Sequence, residues 1–140
     1  MAGSRHRARE LALKALFQLE SSPEGALAAV EYVAGEQGSE PAEREFAWRL
    51  VAGVLEHGEE IDSLIRAASI NWSPEQMGRV DRTVLRIAVF EIRFGGEVPL
   101  RAALNESIDL AKTFAGEESG RFVNGVLGRI VAGAAREVPS

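Results

Sequence analysis

Val80-Asp81-Arg82-Thr83-Val84-Leu85-Arg86-Ile87-Ala88-Val89-Phe90-Glu91-Ile92-Arg93-Phe94 is the most hydrophobic segment of the chain. Its apolar residues fall at helical spacing, and only Asp81, Arg82, Arg86, Glu91 and Arg93 remain for a polar face. A helix apolar on most sides must be covered on most sides, so this one is expected in the middle of a bundle. Ser73-Pro74-Glu75-Gln76 reads as a capping box that introduces it, and Gly95-Gly96 ends it.

The same periodicity extends outward in both directions. Ala8, Leu11, Ala12, Ala15, Leu16 and Leu19 mark a first helix, whose Leu13 and Phe17 point away from the main apolar face. Ser22-Pro23-Glu24 offers an N-cap and an N1 proline to a second helix with Leu27, Val30 and Ala34 on one face, closed over Gly35–Ser39. After Pro41 a third helix carries Phe46, Ala47, Leu50, Val51, Val54 and Leu55. His57-Gly58 is a weak point, beyond which Ile61, Leu64, Ile65 and Ala68 continue as a new helix or a kinked extension. Pro99 opens a helix with Leu100, Ala103, Leu104, Ile108 and Ala111 inward, and Gly116 ends it. Ser119 is read as the cap of a last helix bearing Phe122, Val123, Val126, Leu127 and Ile130. No segment alternates at period two, so the fold class is all-α, with six or seven helices in one domain spanning residues 1–140.

Composition narrows the function. The chain has no cysteine, which excludes disulfides and thiolate chemistry and fits a cytoplasmic location. No uncharged apolar run approaches a bilayer span, so no membrane partner is expected, and Arg9, Glu10 and Lys14 interrupt any signal-peptide pattern. Met1 and the short polar tail Glu137-Val138-Pro139-Ser140 read as native ends. No nucleophile pairs with His6 or His57, and no glycine run is followed by a phosphate-loop lysine. Glu56, His57 and Glu60 share one helical turn, a pattern that solvated surfaces produce far more often than metal sites. The sequence therefore favours a binding protein over an enzyme, with no catalytic residue, metal or cofactor.

Charge is distributed unevenly. The net charge is −5, yet Met1–Leu19 carries four positive side chains and one negative, with Arg5, His6, Arg7 and Arg9 together. Glu20–Asp62 carries two positive against eleven negative. A helix N-terminus favours acids, and the first helix alone inverts that rule, so the cluster points to an anionic partner, foremost a nucleic-acid backbone. Far along the chain, Phe122 lies at the edge of the last helix's apolar face near Glu118, with Arg121 turned to solvent. Pattern alone favours a core role for Phe122, with base stacking as the functional alternative.

Four blocks together resemble the NusB family of transcription antitermination factors. They are Arg5-His6-Arg7-Ala8-Arg9-Glu10, the segment Val80–Ile92, Val98-Pro99 with Asn105-Glu106-Ser107-Ile108-Asp109-Leu110-Ala111-Lys112, and Phe122-Val123-Asn124-Gly125-Val126-Leu127. The resemblance implies a NusB-like fold of two packed helical sub-bundles. It also implies a protein that pairs with NusE, a ribosomal small-subunit protein, on the single-stranded boxA RNA of rRNA leader transcripts. The complex would act in the transcription elongation complex and help RNA polymerase resist termination. By motif, the RNA-binding residues are Arg5, His6, Arg7, Arg9, Lys112, Glu118, Arg121 and Phe122, and the NusE-binding residues are Asp81, Arg82 and Glu91. His6 stands where the family often has arginine, and Asp81 is shorter than the more familiar glutamate. Two rivals are a self-associating helical adaptor, which would make a homodimer, and a NusB-like accessory domain related to rRNA cytosine methyltransferases. The second is the minor one, since those chains continue into a large cofactor-binding domain.

Overall fold

The computed structural model describes residues 2–21, 25–95 and 98–137, and side-chain surroundings over 4–21, 25–95 and 98–133. Among the described residues there are seven α-helices, one 3₁₀ turn and one π turn, and no strand. None of the helices is long and apolar enough to cross a membrane. Packing divides the chain into two compact units, Met1–Glu56 and His57–Ser140.

The first unit holds α1 (Ala2–Ser21), α2 (Ala26–Gln37) and α3 (Pro41–Glu56), each in contact with the other two. Ala8, Leu11, Ala12, Ala15 and Leu16 are buried as expected, and Leu13 is buried as well, so α1 is covered on a second side. The cap read at Ser22–Glu24 lies outside the described residues; α2 follows Gly25 as its N-cap. Gly38 ends it with φ 66°, a left-handed conformation that glycine adopts without a Cβ penalty. Leu27 and Leu55, expected inward, are exposed instead: Ala29, Val30, Val33 and Ala34 form the buried face of α2, and Phe46, Ala47, Leu50, Val51 and Val54 that of α3.

His57 is a single turn residue between α3 and α4 (Gly58–Ala68), so the expected weak point is a true break. Its ring is half-buried and stacks on Phe94 at 4.0 Å and 8° rather than facing solvent with Glu56 and Glu60. The Ser73–Gln76 box forms, but it caps only the 3₁₀ turn Pro74–Gln76; Gly78 is a fresh N-cap for α5 (Arg79–Phe90). α5 touches α4, α6 and α7 and buries Thr83, Val84, Leu85, Ile87, Ala88 and Val89, which is the central position its composition demanded. It runs without interruption into the π turn Glu91–Gly95. Gly96 lies outside the described residues, so the end read at Gly95-Gly96 is seen only as far as Gly95.

Two polar clamps tie this unit together. Arg86 donates to both carboxylate oxygens of Asp62 at 2.8 Å, joining α5 to α4, and Arg129 donates to the Ala68 carbonyl at 2.6 Å, satisfying the end of α4 from α7. α6 (Leu100–Ala115) buries Ala103, Ser107, Leu110 and Ala111, while Leu100, expected inward, is exposed at its first turn. Gly116 separates it from α7 (Glu117–Glu137). Ser119 is therefore the third residue of α7, not its cap.

Candidate nucleic-acid interface

α1 is helical from Ala2, so the arginine cluster sits on a formed helix rather than a trailing arm. Each basic side chain has a different setting. His6 lies 3.2 Å from Glu10 one turn on, and Arg7, half exposed, reaches the buried Glu43 carboxylate at 3.4 Å through Nε. Glu43 also accepts the Glu40 N–H at 3.1 Å, so one carboxylate caps α3 and holds Arg7. Arg5 places its guanidinium 4.2 Å from the centre of the Phe46 ring, within cation–π range, and Arg9 lies 5.4 Å from the same ring. Arg9 is only 2 % exposed. Its guanidinium is thus packed within the first unit beside Phe46, with little of its surface open.

In the second unit Lys112, Glu118 and Arg121 are exposed and Phe122 is half-buried. Lys112 is positioned by a glycine: its side chain lies flat across Gly120 of α7, where a Cβ would meet Lys112 Cγ at 2.6 Å. The ammonium ends 3.8 Å from Glu117. Phe122 lines a groove of about 620 Å³ together with Trp72, Met77, Val80, Asp81 and Glu118. The exposed indole of Trp72 and the Phe122 ring give that groove two aromatic walls.

Of the residues expected to contact a protein partner, Asp81 borders the groove and accepts the Ser119 hydroxyl, which ties the start of α5 to the start of α7. Arg82 donates to the Met77 carbonyl at 3.3 Å. Glu91 is 7 % exposed, so little of its surface is open. Its neighbours explain the burial: Val84, Ile87 and Ala88, at i−7, i−4 and i−3, are all buried. Sequence pattern marks Glu43 as an acid at a helix start, but not as the partner of Arg7, and it gives no role to Gly120 or Trp72. A wheel drawn for α3 could have placed Glu43 one turn before Phe46, but nothing local in sequence pairs Gly120 with Lys112 or Trp72 with Phe122.

Helices alone, a charged first helix and an aromatic-walled groove define an all-α binding protein. The NusB family profile matches residues 6–132. The transcription antitermination protein NusB of Desulforamulus reducens is 41% identical over 127 residues, covering 91% of this chain and 89% of that protein. The protein of the same name from Myxococcus xanthus is 42% identical over 132 residues, covering 91% and 94%. A crystal structure of antitermination factors NusB and NusE in complex with dsRNA superposes with a TM-score of 0.85 at 31% identity, covering 95% of this chain and 99% of that one. NusB from T. maritima gives 0.82 at 36% identity, covering 91% and 90%. The chain belongs to the NusB family of transcription antitermination factors, which are not enzymes.

Proposed function

We propose that this chain is the RNA-binding partner of NusE, and that the pair holds single-stranded boxA RNA of rRNA leader transcripts and helps RNA polymerase resist termination. The observation that carries the reading is the arginine-bearing first helix of an otherwise acidic chain, held in place by Phe46 and Glu43. The related complex of NusB and NusE with dsRNA supports the pairing with NusE and with RNA. In this reading Arg5, His6 and Arg7 position phosphates from the first unit. Lys112, Arg121 and Glu118 border the RNA in the second, where Phe122 stacks on an unpaired base. Asp81 and Arg82 serve the NusE contact. A net charge of −5 limits what the chain binds alone, so a basic partner supplies the remaining attraction.

The test is RNA binding with and without NusE, using single-stranded boxA, the same sequence as a duplex, and a scrambled strand, beside the mass in solution. Tight binding of single-stranded boxA only with NusE supports the reading. Equal binding of all three RNAs removes the sequence-reading role. A homodimer that excludes both RNA and NusE favours the self-associating adaptor.

A further inference from the structure

The first unit leaves an apolar surface open on α2 and α3. Leu27 is 56 % exposed, Leu55 54 % and the large indole of Trp48 36 %. These side chains belong to one surface. The short connection from Gly38 to Glu40 makes α2 and α3 antiparallel neighbours, and the Glu31–Arg44 ion pair at 2.9 Å sets which residues are level. Leu27 is one turn back along α2 from Glu31, and Trp48 is one turn on along α3 from Arg44. The two therefore stand side by side at the edges that the ion pair bridges. Half-buried Ala52 and exposed Leu55, at i+4 and i+7 from Trp48, carry the stripe further along α3.

Charge decides what can cover this stripe. Glu45 and Glu56 lie along its flank on α3, on the side away from α2. Glu56 is engaged within the chain, so Glu45 is the carboxylate that the argument uses. Between Glu20 and Asp62 there are two positive residues against eleven acids. Both are committed: Arg44 to Glu31, and Arg49 towards the Phe46 ring at 5.8 Å. RNA would meet a repulsive rim here, and a second copy related by a two-fold axis would set the same acids against one another. A tryptophan among leucines, with a charged rim, has the make-up of an anchor for a protein of opposite charge. We propose that this face of α2 and α3 docks a basic amphipathic helix of a protein partner. The helix lays its apolar side on Leu27, Trp48 and Leu55, and its cationic side chains meet the acidic flank at Glu45. None of these residues is among those assigned above to RNA or NusE, and the inference does not rest on those roles.

The experiment uses the intact chain carrying Trp72→Phe, which leaves Trp48 as its one tryptophan. It is titrated with a synthetic helical peptide that has leucines along one face and lysines along the other, and with a counterpart that has glutamates in place of the lysines. The lysine peptide should bind saturably, shift Trp48 emission to the blue and weaken as salt rises, while the glutamate peptide should not bind. Leu27→Ser should weaken the lysine peptide about tenfold and Glu45→Lys several-fold. Melting temperature, NusE pairing and RNA binding should stay as they are. Should Leu27→Ser fail to fold, Trp48→Ser with a labelled lysine peptide makes the same measurement. Equal binding of the two peptides, no shift of Trp48, or indifference to both substitutions would overturn the proposal. A dimer that Leu27→Ser abolishes would give the face to a second copy and overturn it too. Loss of NusE pairing or RNA binding at an unchanged melting temperature would place the stripe in those contacts, and a separate docking face would fall.

Discussion

Consider Gly120→Ala, in the first turn of α7. An ideal Cβ there would lie 2.6 Å from Lys112 Cγ, 3.1 Å from Cε and 3.4 Å from Cδ, and its three nearest atoms all belong to that one side chain. Carbon atoms rest at about 3.5–4.0 Å, so the lysine stem must move by roughly 1 Å. Overpacking a rigid core costs about 1–3 kcal/mol, but Lys112 is 43% exposed and swings into solvent, which puts the cost at the low end. Alanine in place of glycine inside a helix returns about 0.8–1.0 kcal/mol. The two terms nearly cancel, so the melting temperature should move by no more than about 5 °C. RNA binding should not be spared, because the displaced ammonium leaves its place beside the start of α7. Titration of labelled boxA RNA with the NusE complex at several salt concentrations should give a Kd raised about three- to tenfold, the effect of roughly 1 kcal/mol. The salt slope should fall by about 0.7. In a Lys112→Ala background the same substitution should do nothing further. Wild-type affinity and slope in Gly120→Ala, or an equal loss in the absence of Lys112, would refute the reasoning.

Phe122→Ala should weaken RNA binding by about 1–3 kcal/mol for one stacked base while circular dichroism stays native, since the ring is half-buried at a groove; a global loss of helicity would instead make Phe122 a core residue. Arg86→Met should lower stability to urea by about 1 kcal/mol, less than a fully buried pair would, because both partners of the Asp62 clamp are about a quarter exposed; an unchanged urea midpoint would remove the clamp from the account of the fold. Glu75 has its carboxyl held below the ordinary 4.5 by its own backbone N–H and by Arg66. A depressed carboxylate stabilises the fold above the unfolded value and loses that effect as pH falls through the folded one. Glu75→Gln should therefore lower the melting temperature slightly at neutral pH and flatten its fall below pH 4.5, so that the two proteins converge in acid; a parallel fall in both proteins would contradict it.

The elements that sequence made legible are those set by local chemistry. The apolar run of α5, the break at His57, the close of α2 within Gly35–Ser39, the end at Gly116 and the start after Pro99 each follow from a few adjacent residues. The Ser73 box was legible as a cap but not as the cap of a single turn, because a capping box fixes where a turn begins and not how far it continues. Leu27, Leu55 and Leu100 were misplaced because a helical wheel shows which residues share a face, not which faces a neighbour covers. The π turn at Glu91–Gly95 has no local signature at all. Arg9 shares the phase of Ala12, Leu13 and Leu16 at i+3, i+4 and i+7, all buried, and its burial follows from that phase rather than from its charge.

That same phase resolves the electrostatic anomaly of the first helix. Positive charge at a helix N-terminus is unfavourable by about 0.3–1 kcal/mol per group, and the sequence offered no compensation. The structure supplies it from two helices: Glu10 for His6, Glu43 for Arg7, and the negative face of Phe46 for Arg5 and Arg9. These contacts bear on affinity as well as on folding. If a phosphate had to pull Arg7 away from Glu43, it would strand a carboxylate that is 5 % exposed, and binding would be opposed by that uncovered charge. Arg7 instead meets Glu43 through Nε and is half exposed, so the outer N–H groups of its fork can reach a phosphate while the inner contact stays closed. In the proposed RNA-binding role, an arm anchored in this way would have little ordering left to do, and its contribution would be limited by charge rather than by entropy.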